Sequence, residues 1–439
     1  MQIIKKNLML IIYAIIIIHL SKDIFLINTS DFARAVFPFI DGVKSFSKEN
    51  TLIFPFKNNF QSISHYNYIS SYSYMLYAYA YVVSIFTNFL DMRLLSAVLK
   101  GIYIFVVYKL YLHLTVEKKF ASKFLFVIFS LVLFSSSNLS MFNSFYQEQV
   151  LLIFLPLTML LIHRDDNKGI YSFFLVIGLI STSKSQLAFT PLIFIIYYSL
   201  LYRNRLRLRV GLSLACLLLS MLCILFSKGA VNLNKYHSSY YGAYQLMQNK
   251  ELILPDNVDA DCVGVDAWGN KYDNQKGAVH TDIGMTCFNN KKFSFSDTIS
   301  VFLKNPSLLI TLPYDKGIRQ QYTENYIHVY NSFLLIENNS GLLYDITKIK
   351  DFLFKEIRFS ALLLAFFSSF FLRNKKVRGV IFFLSAFGTS QLYISFLGEG
   401  YRDLSKHLFG MNISFDLLLF TVICILSNRL QYTIEKSVK

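Results

Sequence analysis

Four short stretches hold most of the side chains able to do chemistry. GEGYRDLSKHLFG (398–410) crowds Glu399, Arg402, Asp403, Lys406 and His407 between two apolar runs. Such charge beside hydrocarbon is costly unless it faces a polar cavity. Read as a continuous helix, it sets Arg402, Lys406 and Phe409 on one face, with Glu399 a turn earlier, and Asp403 and His407 on another. Two cations one turn apart suit a phosphate, and a salt-bridged helix start is the structural alternative. MFNSFYQEQ (141–149) places Tyr146, Gln147 and Glu148 just ahead of the apolar run VLLIFLPLTMLLIH. Capping explains a carboxylate in a helix's first turn, but Asn, Gln and Tyr beside it are also groups that hydrogen-bond sugar hydroxyls. STSKSQLAFTP (181–191) carries Lys184 with no acidic residue near it in sequence, so it is either a snorkelling amine or a point charge for phosphate. TSDFARAVFPFID (29–41) aligns Phe32, Val36, Phe39 and Ile40 as one face of an interfacial helix, kinked or ended early by Pro38. Asp31, Arg34 and Asp41 fall off that stripe, on either a solvated anchor face or one holding a carboxylate in reach of a lipid-borne substrate. A carboxylate so held can serve as general base for a sugar hydroxyl.

Other motifs say less. SKGAVNLNKYHSSYYG (227–242) is basic and rich in tyrosine, which makes it either a wetted interface or a platform on which sugar rings stack. DNVDADCVGVDAWGNKYD (256–273) approaches a calcium loop, but Val263 and Asn270 occupy later ligand places, so local Asp/Gly turns explain it better. Glu324 and His328 stand at helical spacing, and a lone histidine of this kind is usually structural. No Walker, Rossmann, Ser/His/Asp, CxxC or Cys/His metal pattern is present. Cys216, Cys223 and Cys424 lie in apolar runs and read as packing residues. Cys262 and Cys287 lie in a long polar segment. Outside the reducing cytosol they would form one disulfide, contributing roughly 3 kcal/mol.

The elements that must position these groups are membrane spans. Of 439 residues, 54% are hydrophobic and only 16% charged, and mean hydropathy is +0.43. Long apolar runs recur from end to end, which predicts an all-α polytopic membrane protein. The net charge of +16 comes largely from clusters between apolar runs, as orientation signals do, so nucleic acid is not expected as a partner. The first run, behind Lys5 and Lys6, lacks a small-residue cleavage site after it and reads as a retained span. Ten apolar runs (4–28, 91–114, 121–137, 148–163, 169–183, 187–202, 209–227, 356–372, 379–397 and 408–428) place every basic cluster inside when the amino terminus is inside. Residues 69–88 are apolar enough to span, yet counting them reverses every later cluster. Rich in Tyr and Ser, they are expected to lie in or dip into the outer face. The outer segments are then 29–90, 138–147, 184–186, 228–355 and 398–407. The implied organisation is a membrane core (1–227), an outer loop domain (228–355) and carboxy-terminal membrane helices (356–439).

The four opening stretches, together with YISSYSYMLYAY, SKGAVNLNKYHSSYYG, CVGVDAWGNKYD and ENYIHVY, carry a resemblance over nearly the whole chain. It resembles the serotype-converting O-antigen glucosyltransferases of phages and prophages of enteric bacteria (Gtr type, GtrS-like). The resemblance implies a GT-C-like helix bundle in the bacterial inner membrane, with its active site facing the periplasm. It implies undecaprenyl-phosphate glucose as donor, made by a lipid-glucose synthase and turned over by a small flippase. The acceptor it implies is a sugar of the lipid-linked O-antigen repeat. It also implies a catalytic carboxylate in the first outer loop, matched by Asp31 with Asp41 second, and a further acidic group in the second, matched by Glu148. Asp31 would take the acceptor proton in a direct, inverting displacement. Lys184, Arg402 and Lys406 would stabilise the departing phosphate, with Tyr146, Gln147, Glu399 and His407 lining the substrate. No cofactor is required, and a divalent metal is optional where lysine and arginine neutralise the phosphate. The rival readings are an O-antigen polymerase and a lipid-glycan transporter or flippase. The transporter would carry charge deep within its spans.

Overall fold

The computed structural model describes residues 2–26, 34–40, 52–115, 120–227, 230–272, 279–290, 293–324, 335–336 and 341–438. Asp31, Asp41 and His328 lie outside the described residues. In chain order come α1 (Gln2–Leu20), β1 (Phe25–Leu26), β2 (Ile53–Pro55), α2 (Ser71–Ser84), β3 (Phe89–Asp91), α3 (Met92–Leu114) and α4 (Phe120–Ser130). Then follow α5 (Val150–Leu161), α6 (Asn167–Ser181), α7 (Thr190–Leu200), α8 (Leu206–Phe226), α9 (Ala230–Ser238), α10 (Tyr244–Asn249), β4 (Asn270–Lys271), β5 (Val279–His280) and α11 (Phe295–Lys304). The chain closes with α12 (Lys316–Tyr322), β6 (Leu335–Ile336), α13 (Leu342–Phe354), α14 (Arg358–Ser369), α15 (Lys375–Glu399), α16 (Leu404–His407) and α17 (Phe409–Val438).

Each of the ten apolar runs overlaps one of these helices. Among the described residues, α3, α8, α15 and the part of α17 up to Asn428 are long and apolar enough to cross a membrane. A further pair, Ser136–Asn143 and Gln147–Leu161, passes the same test together and is bent by 120° at its break, as a broken span or a re-entrant loop. α2 covers the doubtful stretch at 69–88 with only 14 residues. That is about 21 Å of helix, short of the ~30 Å hydrocarbon core.

The chain forms two compact units. One comprises Met1–Phe226, Asn325–Phe387 and Asn412–Lys439, and the other Ser227–Glu324 and Gly388–Met411. In the first, α6, α7 and α8 pack on one another, α5 packs on α3 and α6, and α1 packs on α3. β1 pairs antiparallel with β6, and β2 with β3. Residues 34–36 are helical, and the chain turns at Pro38. Val36, Phe39 and Ile40 are buried in protein. These three residues therefore serve the core and not, as expected, a membrane surface. The second unit holds α9 to α12, the β4–β5 hairpin and residues 388–411. Its sequence boundary differs from 228–355 because α13 belongs to the first unit, where its Thr347, Lys350 and Asp351 are buried.

Candidate functional site

The break before α5 follows from its sequence. SSSNLSMFNS is dense in residues whose side chains compete for backbone groups. Ser144 Oγ donates to Met141 O at 2.7 Å and leaves its own backbone extended. The carbonyls this frees are not abandoned. Gln149 Nε2 donates to Ser144 O at 2.8 Å and Tyr146 O at 3.1 Å. Irregular backbone is tolerated at such depth only when the protein satisfies it in this way. Tyr146, Gln147, Glu148 and Gln149 are all buried.

Against this break lies the turn after α6. Its SYSY partner explains the unusual composition of α2. Ser70 caps α2 and donates to Ser183 O at 2.6 Å, Ser71 N donates to Thr182 O at 3.1 Å, and Ser71 Oγ donates to Leu179 O at 2.9 Å. Ser185 N donates to Tyr68 Oη at 2.7 Å. So held, Lys184 donates to Glu148 in a buried ion pair, with side chains 7% and 5% exposed. Gln149 Nε2 also donates to Tyr72 Oη at 2.7 Å. Arg34, three residues beyond Asp31, stacks over the Tyr68 ring at 4.9 Å. Tyr66 Oη donates to Ala35 O at 3.0 Å. Three of the opening stretches and the serine-rich start of α2 therefore meet in one place.

Arg402, Lys406, Glu399 and His407 belong to the second unit. Residues 398–410 are not one helix: α15 stops at Glu399, Gly400 takes φ 63°, and Asp403 takes φ 45°. The face-sharing expected of a continuous helix is lost. The turn is needed because Gly400 packs against Gly242, where an added Cβ would fall 2.9 Å from Gly400 Cα, and Tyr401 N donates to Tyr241 O at 3.0 Å. Arg402 donates to Asp266, lies 3.8 Å over the Trp268 ring and sits 3.8 Å from Asp403. Asp266 is itself buried and accepts from Trp268 N and Asn270 N, both at 2.8 Å. His407 pairs with Glu399 at 3.0 Å. Cys262 and Cys287 form a disulfide. The tyrosines of 236–244 are buried, with Tyr236 stacked on Tyr240 and Tyr240 edge-on to Tyr244, so they are core and not a platform for sugar rings.

One family description matches residues 7–439, that of the YfdI N-terminal transmembrane domain. The chain belongs to this family. It is 45% identical over 415 residues, covering 94% of each chain, to the uncharacterized protein YfdI of Escherichia coli (strain K12). No solved structure matches it. The chain is a membrane protein, by this family and by its apolar helices.

Within this YfdI-family fold, two sets of buried charges escaped the sequence reading. Lys100, in the middle of α3, donates to Ser21 O at 2.9 Å and Asn143 Oδ1 at 3.4 Å, and Asn143 Nδ2 donates to Ser21 O at 2.8 Å. Lys350 donates to Asp416 at 2.5 Å and to Ser135 at 2.9 Å, while Asn138 donates to Asp416 at 2.8 Å. Arg358 bonds Asp351, and reaches Asn412 at 3.2 Å. Asp416 and Lys100 each interrupt an apolar run, which is the signal that would have found them. Lys350 carried no such signal, because its partner Asp416 is 66 residues away, and Asp351, bonded to Arg358 only seven residues on, lies outside any apolar run.

Proposed function

We propose that this YfdI-family chain transfers glucose from undecaprenyl-phosphate glucose to a sugar of the lipid-linked O-antigen repeat. It would do so at the periplasmic face of the inner membrane, within a GT-C-like core of about ten spans. The observation that carries the reading is the buried Glu148–Lys184 pair at the broken span, with Arg34, close after Asp31 in sequence, packed nearby. In this reading the acceptor oxygen attacks the anomeric carbon and Asp31 takes its proton. The bond from that carbon to the phosphate oxygen breaks, and undecaprenyl phosphate leaves with the electron pair, inverting the centre. Lys184 supplies positive charge to the departing oxygen, and Glu148 holds the amine in place. Tyr146 and Gln147 offer hydrogen bonds to sugar hydroxyls. Arg402, already engaged by Asp266 and Trp268, is the weaker phosphate ligand, and Lys406 stands beside it in sequence. A lipid-glucose synthase and a flippase supply the donor.

A transporter without chemistry is the second reading. Lys100 and Asp416, ionisable groups inside apolar helices, favour it. Membranes containing the chain, given radiolabelled undecaprenyl-phosphate glucose and lipid-linked O-antigen, separate the two. Incorporation of label that falls about 10²–10⁴-fold in Asp31→Asn supports the transferase. Donor movement without incorporation supports the transporter.

A further inference from the structure

Residues 295–322 of the second unit carry an apolar stripe on their exposed side. α11 turns Thr298, Val301 and Phe302 inward. Ile299 and Leu303, one turn apart on its other side, are 53% and 76% exposed. The stripe resumes at Ile310 and Tyr314, which are 74% and 72% exposed. Single exposed apolar residues are ordinary, but five within residues 299–314, Leu309 being the fifth, mark a contact surface.

Two contacts hold α11 at the end of α15. Ser238 Oγ bonds Thr298 Oγ1 at 2.7 Å and donates to Leu397 O at 2.6 Å, and the Phe302 and Phe396 rings meet edge-on at 6.3 Å. Leu397 lies in the last turn of α15, whose 25 residues span about 37 Å against a hydrocarbon core of ~30 Å. With α15 crossing the bilayer, that last turn would emerge at headgroup level, and α11 with it. The exposed charge beside the stripe is basic: Lys304, Lys316 and Arg319. The carboxylates of this segment are engaged as caps. Asp297 accepts from Ser294 N at 2.8 Å, and Asp315 accepts from Gly317 N and Ile318 N at 3.0 and 3.2 Å.

We infer that α11 and residues 305–314 form an interfacial anchor. It sets Ile299, Leu303, Ile310 and Tyr314 into the acyl boundary and Lys304, Lys316 and Arg319 against anionic phospholipid headgroups. An apolar face with flanking basic residues and an interfacial tyrosine is what such a surface binds. The inference does not depend on the transferase reading.

The test uses the full chain in nanodiscs, with Cys216, Cys223 and Cys424 changed to serine. The fluorophore NBD is attached in turn at Leu303→Cys, Ile310→Cys and, as a control on exposed α12, Gln320→Cys. Emission at 303 and 310 should shift to the blue and be quenched by doxyl lipid at least about twofold more than at 320. Iodide should quench 320 preferentially. Phosphatidylglycerol should widen the difference over phosphatidylcholine alone, and Lys304→Gln/Lys316→Gln/Arg319→Gln should abolish that widening. Iodide quenching at 303 and 310 equal to that at 320 overturns the anchor. Protection from both quenchers also overturns it, because a protein surface then covers the stripe. A difference indifferent to phosphatidylglycerol overturns the headgroup contact. All three labelled positions are exposed, and because Cys424 is buried, the cysteine-substituted chain without label is first shown to keep the Tm of the unsubstituted chain.

Discussion

At the scale of single residues, the buried pair of Glu148 and Lys184 matters most. Both were visible as residue types, but their partnership was not, since 36 residues separate them. Arg402 repeats the lesson, because its carboxylate is Asp266 and not the neighbouring Glu399. Lys184→Met alone removes the cation from a buried carboxylate, which should cost on the order of 3–5 kcal/mol, seen as a lowered Tm in detergent. Glu148→Gln/Lys184→Met should recover most of that stability and none of the glucosylation. A double variant that glucosylates normally removes the pair from the site. His237 gives a second prediction. Its Nε2 accepts from Ala267 N at 3.1 Å, which requires the neutral ring. Burial, with Arg402 nearby, pulls it from the ordinary imidazole value down to about 4. The unfolded chain then binds the extra proton between about 6.5 and 4, so stability is full above that window and falls as pH drops through it. The loss should approach roughly 3 kcal/mol. Thermal unfolding followed from pH 7.5 downward should show this slope, and His237→Gln should lack it. An unchanged slope in the variant assigns the effect elsewhere.

At the scale of elements, hydropathy located the helices because each apolar run is locally sufficient to make one. What breaks or ends them was harder to read. Serine and asparagine at 135–144 open the span before α5 by local side-chain bonds, Ser140 Oγ to Ser137 O and Ser144 Oγ to Met141 O, to which hydropathy is blind. The charged stretch at 398–410 looked helical until a close glycine contact required a left-handed turn. By sequence α13 falls within the outer loop 228–355, yet Lys350 on it is buried against Asp416 of α17, 66 residues away. Asp416→Leu should therefore leave Lys350 without its carboxylate and destabilise the first unit by on the order of 3–5 kcal/mol. Lys350→Met/Asp416→Leu should restore much of it. Equal Tm values for the single and double variants would mean that the pair does not hold α13 in place.

At the scale of the whole molecule, the family and the apolar helices establish a membrane protein, while its orientation rests on the charge pattern. The charge pattern predicts that residues 69–88 lie outside, and a reporter fused after residue 88 should accordingly read as periplasmic. The disulfide between Cys262 and Cys287 offers an independent check, because it requires an oxidising compartment. Non-reducing gels of the intact chain should show it formed in cells, and a fully reduced pair would put that segment in the cytosol. The second unit was only partly legible. Its start near residue 227 coincides with a composition change, whereas residues 388–411 join it through contacts that sequence order conceals. Structural analysis of the O-antigen polysaccharide tests the proposed glucose transfer most directly. Cells carrying the gene should bear a glucose branch that is missing without it and missing again with Asp31→Asn. The same polysaccharide from cells with and without the gene would contradict the claim.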